Sequence, residues 1–407
     1  MRVLYLCHRI PYPPNKGDKI RAFHQIRAIA ARHEVDVFTL ADDAADLANV
    51  PALWGHCSRL TVARVHPKLA RFRALPYLLT NQPLTVPYFY SAELQAEVRQ
   101  ALLRRSYDRI FVYCSAMAQY VDSVQGIPIM MDFVDVDSDK WMQYASFTRF
   151  PFSAVYRREA RALRAYERMA CEKAAFVAIT TEREATLLRE ISPQTRVHVI
   201  PNGVDTSYFD PEVVPRELTS PTVIFTGDMS YFPNEEAVAF FSRQVLPLIR
   251  RSVAGTRFLI VGRNPGQKVR DLGRIEGVAV TGFVPDVRTY LAQAQVAVAP
   301  FSIAAGIQNK ILEALAYGLP VVATSRAAQA LSHGVRAEVD TADSAEEMAA
   351  KIVLLLRDSR EASRRGLDGR RQVAQDYRWD ASMGHLMELL ERGGNSRSAK
   401  PKMQSFV

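Results

Sequence analysis

The stretch 296–324 holds a glycine, a lysine and a glutamate at spacings that suit a phosphorylated ligand; it reads VAVAPFSIAAGIQNKILEALAYGLPVVAT. Its pattern predicts a strand, a loop, a helix and a second strand, with Gly306 where the loop meets the helix. A residue without Cβ at that junction lets a phosphate approach the free N–H groups of the helix start. Lys310 and Glu313 are three residues apart, so they share one helix face. These residues suit a nucleoside-diphosphate site, with Lys310 on phosphate and Glu313 on ribose, and equally an ordinary crossover helix with a surface ion pair.

Two further segments carry candidate ligand-binding residues at predicted strand ends. The loop 8–18 follows the first predicted strand, where Gly17 would provide a turn and Asp18 would cap the first helix. His8 begins this loop and would touch either an acceptor or a phosphate. Arg263 follows another predicted strand, and its guanidinium would pair with a diphosphate. The alternatives are a proline-rich surface loop, a histidine packed beside its strand and a surface arginine.

Four carboxylates, those of Asp132, Asp135, Asp137 and Asp139, form an acidic segment that contains Asp-x-Asp. Close carboxylates can bind Mg²⁺ or Mn²⁺. We expect no metal, because the pattern of strands and helices is doubly wound and differs from the fold in which this spacing binds metal. We predict Asp135 or Asp137 as a catalytic base or an acceptor-binding acid. The alternative is a loop whose acids cap helices and pair with Lys140.

Short runs rich in Val and Ile alternate with longer amphipathic stretches such as 20–32, 156–173 and 235–250, which predicts α/β structure with parallel sheets wrapped by helices. In the first half, strands are predicted at 3–7, 35–40, 110–114, 127–132, 176–180 and 197–201. The pattern restarts after residue 205, with strands predicted at 222–226, 257–261, 278–280, 296–299 and 321–324. We therefore predict two Rossmann-like, doubly wound domains. Two such domains would face each other across a cleft, into which the carboxyl ends of their strands open.

The restart of the pattern sets the domain boundaries. We place an N-terminal domain at 1–204 and a C-terminal domain at 205–379, with a proline-containing linker at 204–220. The last stretch, 393–407, is polar, basic and aperiodic, and we predict that it is a disordered tail.

The composition is that of an ordinary globular protein, with 407 residues, of which 48% are hydrophobic and 23% charged. The formal charge of +9 favours anionic partners. We expect no nucleic acid among them, because no nucleic-acid-binding module is recognisable. Four dispersed cysteines suit a reducing compartment, and no apolar run is long enough for an export signal or a spanning helix. We expect a cytoplasmic protein.

A basic and apolar segment lies at 64–79. It interleaves two kinds of side chain, the basic Arg64, Lys68, Arg71 and Arg73 and the apolar Leu69, Phe72, Leu75, Tyr77, Leu78 and Leu79. Such a mixture suits contact with anionic lipid at a membrane surface. A solvated helix face with core contacts is the alternative.

Residues 312–324, LEALAYGLPVVAT, resemble the signature segment of the family 4 retaining glycosyltransferases, which have the GT-B fold. Three more segments resemble motifs of that family in the same order, namely VIPNGVD at 199–205, VTGFVPDVRTYLAQAQVAVAP at 280–300 and DYRWD at 376–380. A narrower resemblance is to the sugar transferases of the PEP-CTERM/exosortase system and its exopolysaccharide loci. It is carried by 2–24, 131–145, 225–238 and 306–310.

The resemblance implies a GT-B architecture in which a helix at 380–392 crosses back to the N-terminal domain. It also implies that Glu313 binds the donor ribose, that the 280–300 segment holds the base loop and that the 8–18 loop lies over the donor phosphates. The donor-binding set is then Gly17, Asp18, Gly227, Arg263, Gly282, Phe283, Val284, Gly306, Ile307, Gln308, Asn309, Lys310 and Glu313. The acceptor-side set is His8, Tyr113 and Ser115, and the catalytic candidates are Asp135, Asp137, Lys310 and Glu313.

The sequence departs from the family pattern at three places. No histidine lies in or just after 110–114, where many relatives carry one that contacts the sugar, and Tyr113 and Ser115 occupy that region. The first glutamate of the family pair, eight positions before Glu313, is Ala305 here. The loop 227–230 lacks the usual Arg and Lys. We expect Lys310 to replace the missing phosphate cation, and Gln308 or Asn309 to replace the missing sugar contact.

For function, the resemblance implies a hexosyltransferase that moves a sugar from a nucleotide-diphosphate-sugar donor to a glycan or polyprenyl-linked acceptor, with retention at the anomeric carbon, in exopolysaccharide biosynthesis. The donor is a substrate, and neither a cofactor nor a metal is expected. A lipid-linked acceptor would bring the protein to the inner face of the cytoplasmic membrane. The alternatives are a nucleotide-sugar epimerase on the same fold and a non-catalytic nucleotide-sugar-binding protein, the latter favoured by Ala305.

Overall fold

The computed structural model describes residues 1–14, 17–216, 218–304 and 306–393, with side chains at all of these except 18, 44 and 45. Ala305 and the predicted tail beyond its first residue lie outside these ranges. The chain divides into two units. The first comprises Met1–Ile200 and the chain from Asp380 onward, and the second comprises Pro201–Trp379.

The first unit is built on a parallel sheet. Its strands are β1 (Arg2–Cys7), β2 (Glu34–Ala41), β3 (Arg59–Arg64), β4 (Arg109–Tyr113), β5 (Ile129–Val134), β6 (Phe176–Ile179) and β7 (Val197–Val199). They are ordered β3-β2-β1-β4-β5-β6-β7, and every neighbouring pair is parallel. The central strands are apolar runs because helices cover both faces of the sheet.

The helices of the first unit follow the strands in alternation. They are α1 (Gly17–Ala30), α2 (Ala44–Leu47), α3 (Val50–Leu53), α4 (Pro67–Ala74), α5 (Thr85–Tyr88), α6 (Ala92–Arg104), α7 (Asp137–Phe147), α8 (Phe152–Lys173) and α9 (Glu182–Ile191). Short 3₁₀ turns lie at Trp54–His56, Leu75–Leu79 and Ser115–Tyr120.

The second unit repeats the architecture with β8 (Thr222–Thr226), β9 (Arg257–Val261), β10 (Val278–Gly282), β11 (Val296–Ala299), β12 (Val321–Ala323) and β13 (Val339–Thr341). These strands are ordered β10-β9-β8-β11-β12-β13 and are again parallel. The reversal of strand order beside β8 is the point at which doubly wound folds bind ligands.

The helices of the second unit are α10 (Phe232–Phe240), α11 (Leu246–Ser252), α12 (Gln267–Leu272), α13 (Arg288–Leu291), α14 (Asn309–Ala316), α15 (Ser325–Ala328), α16 (His333–Ala337), α17 (Ala345–Arg357) and α18 (Ser359–Asp376). A π turn at Phe241–Val245 joins α10 to α11. The last helix, α19 (Trp379–Arg392), packs in the first unit, where Leu386 and Leu390 are fully buried. None of the helices in the described ranges is both long and apolar enough to cross a bilayer.

The prediction of two parallel, Rossmann-like sheets is confirmed, and each predicted strand is present with shifts of a few residues at its ends. Two strands escaped prediction. β3 reads RLTVAR and lies half exposed at the sheet edge, so its apolar run is broken. β13 has only 3 residues.

A close backbone contact fixes the ends of β8 and β9. A Cβ added to Gly262 would lie 1.6 Å from the carbonyl oxygen of Gly227. Real Cβ atoms do not approach oxygen this closely, so the two strand ends can pass only because position 262 is glycine.

We predict that Gly262→Ala lowers the melting temperature by an amount that corresponds to about 3 kcal/mol or more, because the two backbones must separate. Gly384→Ala is the control, since it lies in α19 with nothing within 4 Å of its added Cβ. Alanine favours a helix over glycine by about 1 kcal/mol, so the control should melt at the same temperature or higher. Equal melting of Gly262→Ala and the wild type would contradict the close contact.

Candidate functional site

The carboxyl ends of three neighbouring strands meet at one edge of the second sheet. Gly227 donates from its N–H to the carbonyl of Val261 at 3.0 Å, and Gly262 donates to the carbonyl of Gly282 at 3.2 Å. The backbone ladder therefore continues to the last residues of β8, β9 and β10. Two predicted donor-site residues, Gly227 and Gly282, lie on this edge.

Arg263 leaves the same edge and is held by Asp228, which the sequence analysis did not select. Its Nε lies 3.0 Å from Oδ2 of Asp228. Ser230 donates to the other carboxylate oxygen, from its N–H at 3.1 Å and its hydroxyl at 2.7 Å. The carboxylate thus fixes the guanidinium at the strand ends, where an anion would meet it.

The ammonium of Lys310 lies against two buried aromatic rings. Its Nζ is 4.6 Å from the centroid of Phe225 and 4.5 Å from the centroid of Phe301. It donates to Oδ1 of Asn234 at 2.7 Å. A Cβ added to Gly227 would lie 3.3 Å from the same nitrogen. Lys310 therefore reaches from α14 to the end of β8, which puts a cation beside the loop that lacks Arg and Lys.

Burial perturbs both ionisable groups on this face of α14. It lowers the pKa of Lys310 to about 7, although the charge of Glu313 opposes the shift. It raises the pKa of Glu313, and here the charge of Lys310 opposes the shift. A bound diphosphate would favour the charged form of Lys310, because an opposite charge nearby stabilises an ammonium.

The first turn of α14 begins without a side-chain cap. Gln308 takes the N-cap position with φ −83° and ψ 94°, and its side chain makes no capping hydrogen bond. Gly306 has a left-handed φ of 61°. Ile307 is partly buried, and Asn309 accepts a hydrogen bond from the amide of Asn202 at 3.2 Å. An uncapped helix start offers its N–H groups to an anion.

The loop after β10 presents an exposed ring, Phe283, which is 70% exposed and precedes the partly buried Val284. Farther along, the guanidinium of Arg288 lies 4.0 Å over the ring of Tyr208. The same group pairs with Asp286 at 2.7 Å. This stack fastens the loop to the segment around Tyr208, and the sequence analysis missed it.

In the first unit, Asp132 belongs to a buried network. It pairs with Nε of Arg21 at 2.8 Å, and both side chains are 0% exposed. The amide of Gln25 also donates to it, and the N–H of Val134 donates to its second oxygen at 2.9 Å. Tyr5 completes the network by donating to Gln25 at 2.7 Å. Asp132 therefore holds β5 to α1.

The other predicted acids differ in their partners. Asp137 accepts a hydrogen bond from Lys140, as the capping-loop alternative expects, and Asp139 accepts one from Arg183 at 2.8 Å. Asp135 has no side-chain hydrogen bond or ion pair within the described part of the chain. Burial raises the pKa of Asp135 to about 6. The positive charge of Lys140 opposes this shift, and the negative charge of Asp137 adds to it. Asp135 is thus the carboxylate that remains available to a ligand.

Two buried glutamates cap α7 from other helices, and neither was predicted. Glu167 accepts hydrogen bonds from the N–H and hydroxyl of Ser138, at 3.0 Å and 2.5 Å, and burial raises its pKa to about 7. Glu184 accepts one from the N–H of Val136 at 3.4 Å. Burial raises the pKa of Glu184 to about 8, and the charge of Asp135 adds to the shift.

The predicted acceptor-side residues lie at the carboxyl ends of the paired strands β1 and β4. The ring of His8 stacks on Tyr113 with centroids 5.9 Å apart, and it meets the edge of Phe89 at 5.2 Å. Ser115 is 2% exposed, and its hydroxyl has no hydrogen-bond partner among the described residues. The ring of His8 therefore rests on a tyrosine ring that is itself buried, with 1% of Tyr113 exposed.

The expected cap of the first helix is wrong. α1 begins at Gly17, so Asp18 is its second residue and lies inside the helix. Residues 15 and 16 lie outside the described ranges. Within those ranges, no group of three or more His, Cys, Asp or Glu side chains is placed to hold a metal ion.

Two family models match the chain, one in each unit. The model described as "Glycosyl transferase 4-like domain" matches residues 19–203, and the model described as "Glycosyl transferases group 1" matches residues 220–358. Together with the two Rossmann-like sheets, these matches identify the chain as a glycosyltransferase of the group 1/4 class with the GT-B fold.

Curated relatives include the GDP-mannose-dependent alpha-(1-6)-phosphatidylinositol monomannoside mannosyltransferase of Mycobacterium tuberculosis, which is 28% identical over 49% of this chain. The Mycolicibacterium smegmatis protein of the same name is 26% identical over 51% of this chain. The chain spans 56% and 59% of the length of these two relatives.

Solved structures share the fold over almost the whole chain. Sucrose-phosphate synthase from Thermosynechococcus elongatus has a TM-score of 0.71 at 19% identity, covering 96% of this chain and 98% of its own. Anabaena HepE in complex with UDP and glucose has a TM-score of 0.68 at 17% identity, covering 96% of this chain and 100% of its own.

We predict that Asp135→Asn stabilises the protein by about 1–3 kcal/mol near pH 8 and has no effect near pH 4. Folding raises the pKa of Asp135 from 3.8 to about 6 because burial disfavours the charged carboxylate. The stability contributed by the neutral carboxyl is therefore fully present below pH 3.8 and is lost as the pH rises through 6. Denaturant unfolding at the two pH values measures the difference. Asp137→Asn is the control; it loses a partner and should not stabilise. A variant at 135 that is less stable than the wild type near pH 8 would contradict the assignment.

Proposed function

We propose that this chain transfers a hexose from a nucleoside-diphosphate sugar to a glycan or polyprenyl-linked acceptor, with retention at the anomeric carbon, in exopolysaccharide biosynthesis of the PEP-CTERM/exosortase type. The donor part of this proposal rests on the position of Lys310. Its Nζ lies 2.7 Å from Oδ1 of Asn234, beside the ends of β8 and β9. A cation in this place, next to an uncapped helix start, suits a diphosphate.

The donor would lie along the edge formed by β8, β9, β10 and α14. Lys310 and Arg263 would bind the diphosphate together with the first N–H groups of α14. Glu313 would accept the ribose hydroxyls, and the loop of Phe283 and Val284 would meet the base. The curated relatives depend on GDP-mannose by name, and HepE is described with UDP, so GDP and UDP are the first nucleotides to test.

The reaction we propose passes through an oxocarbenium-like transition state as the bond from the sugar to the diphosphate breaks. Charge develops on the leaving phosphate oxygen, and Lys310, Arg263 and the helix start would stabilise it. No nucleophile is assigned, so the acceptor hydroxyl would attack the anomeric carbon from the face of the leaving group and would give its proton to the departing phosphate oxygen. We propose that the reaction needs no metal, because Lys310 and Arg263 would neutralise the charge of the diphosphate.

The acceptor half of the proposal rests on the first unit. Asp135, whose carboxylate has no partner in the described part of the chain, would accept a hydrogen bond from the acceptor hydroxyl. The ring of His8, backed by the buried ring of Tyr113, would support the apolar face of an acceptor sugar.

We further propose that the 64–79 segment contacts the inner face of the cytoplasmic membrane, where a lipid-linked acceptor would be presented. Its large apolar side chains point to solvent, with Leu79 95%, Phe72 70% and Leu69 65% exposed. Arg158 binds the turn to α8 by donating to the carbonyls of residues 77, 80 and 82, the last at 2.6 Å. Exposed Lys68, Arg71 and Arg73 supply charge for anionic lipid.

We predict that Lys310→Met weakens binding of UDP or GDP by at least about tenfold, which is about 1.4 kcal/mol, because the diphosphate loses a cation beside the strand ends. Calorimetry with each nucleotide measures this. Lys268→Met is the control, since this lysine is 80% exposed in the same unit. Wild-type affinity in Lys310→Met would remove the residue from the donor site.

Donor binding without turnover by the wild type would favour the non-catalytic alternative, and conversion of the donor without an acceptor would favour the epimerase.

We predict that the double change Phe72→Ser and Leu79→Ser lowers affinity for phosphatidylglycerol vesicles by at least about tenfold, because each buried apolar side chain contributes roughly 1.5–3 kcal/mol. Vesicle co-sedimentation measures the effect. Leu103→Ser, at a leucine of α6 that is 81% exposed, is the matched control. Equal vesicle binding by all three proteins would contradict the membrane contact.

A further inference from the structure

Asn234 connects the two parts of the donor edge that differ from the family pattern. It is the third residue of α10 and is 5% exposed. Its Nδ2 donates to the carbonyl of Asp228 at 2.8 Å, and its Oδ1 accepts from Lys310 at 2.7 Å. One amide therefore fixes both the loop after β8 and the ammonium that reaches into it.

The surroundings of the ammonium show why an amide suits this place. Apart from Asn234, Nζ of Lys310 meets the faces of Phe225 and Phe301, both 1% exposed. No carboxylate of the described residues forms an ion pair with it. An amide oxygen orients the ammonium without cancelling its charge, whereas a carboxylate of the same shape would cancel it.

We propose that Asn234 is a positioning residue that aims the Lys310 ammonium at the donor diphosphate without placing a carboxylate in contact with it. This inference rests on the proposed function, since it concerns the same donor edge. It goes further by assigning a role to Asn234, which lies in the 225–238 segment of the family resemblance but was not among the predicted site residues.

The charged groups around Lys310 allow this role to be measured through pH. Glu313 lies on the same helix, Asp228 and Arg263 pair with each other at the strand ends, and Glu235 of α10 pairs with Lys268 at 3.2 Å. The pKa of Lys310 is lowered to about 7. A bound diphosphate would raise the pKa of Lys310. Nucleotide binding above pH 7 would therefore be accompanied by proton uptake at Lys310, and the affinity would fall as the pH rises.

The test compares the wild type with Asn234→Asp, Asn234→Ala and Lys310→Met. Calorimetry with UDP and with GDP between about pH 6.5 and pH 9, in buffers of different ionisation enthalpy, gives both affinity and proton uptake. We expect the wild type to bind more weakly with rising pH and to take up protons. Asn234→Asp should bind at least about tenfold more weakly near pH 6.5, with affinity independent of pH and no uptake, because its carboxylate keeps Lys310 protonated and neutralised.

The other variants separate positioning from a merely structural role. Asn234→Ala should bind weakly but retain proton uptake, while Lys310→Met should lose it. Asn264→Asp is the control for added negative charge, because its side chain is near Asp228 and not at Lys310; it should keep the pH dependence of the wild type. If Asn234→Asp does not fold, the contrast in proton uptake between Asn234→Ala and Lys310→Met decides.

Two results would overturn the inference in distinguishable ways. If the wild type binds nucleotide and Asn234→Asp keeps its affinity and pH dependence, the positioning role is wrong and the donor site stands. If the wild type binds neither UDP nor GDP, the proposed function itself fails, and the inference fails with it.

Discussion

In the second unit, the ammonium of Lys310 lies at a place where burial favours its neutral form. Lys310 lies 4.5 Å and 4.6 Å from two phenylalanine ring centroids, and burial lowers its pKa to about 7. Burial also places the ammonium in a low-dielectric environment, where its attraction for an anion is stronger than in water. The close passage of Gly227 and Gly262 and the anchoring amide of Asn234 are the constraints that hold it there.

In the first unit, the groups perturbed by burial are acids rather than a lysine. Asp135, Glu167 and Glu184 are acids whose pKa values are raised by burial around the start of α7. Glu167 and Glu184 accept hydrogen bonds from backbone N–H groups of that region, while Asp135 accepts none from the described side chains or backbone. A carboxylate in this state gains from a hydroxyl donor, which is what a sugar acceptor offers. The cost is lower stability at neutral pH, a common property of ligand sites.

Much of the fold follows from short-range pattern, because parallel strands are buried on both faces and read as runs of Val and Ile. The shared face of Lys310 and Glu313 also follows from spacing alone. Asn234 and Asp228 were missed because their roles depend on contacts between segments far apart in sequence. Glu184 had a local signal, the capping pattern from Thr181 to Glu184 at the start of α9, which was not used. Glu167 gives no such signal, since a glutamate on a long amphipathic helix is typical of an exposed face.

In the proposed function, a nucleoside diphosphate binds the second unit at the ends of β8, β9 and β10 and at the start of α14. Hydrogen exchange of the whole chain, with and without saturating UDP or GDP, tests it most directly. If the nucleotide binds there, exchange should be slower in peptides that cover 226–235, 261–266, 282–288 and 306–316. Protection confined to peptides of the first unit, with these four segments unchanged, would contradict it.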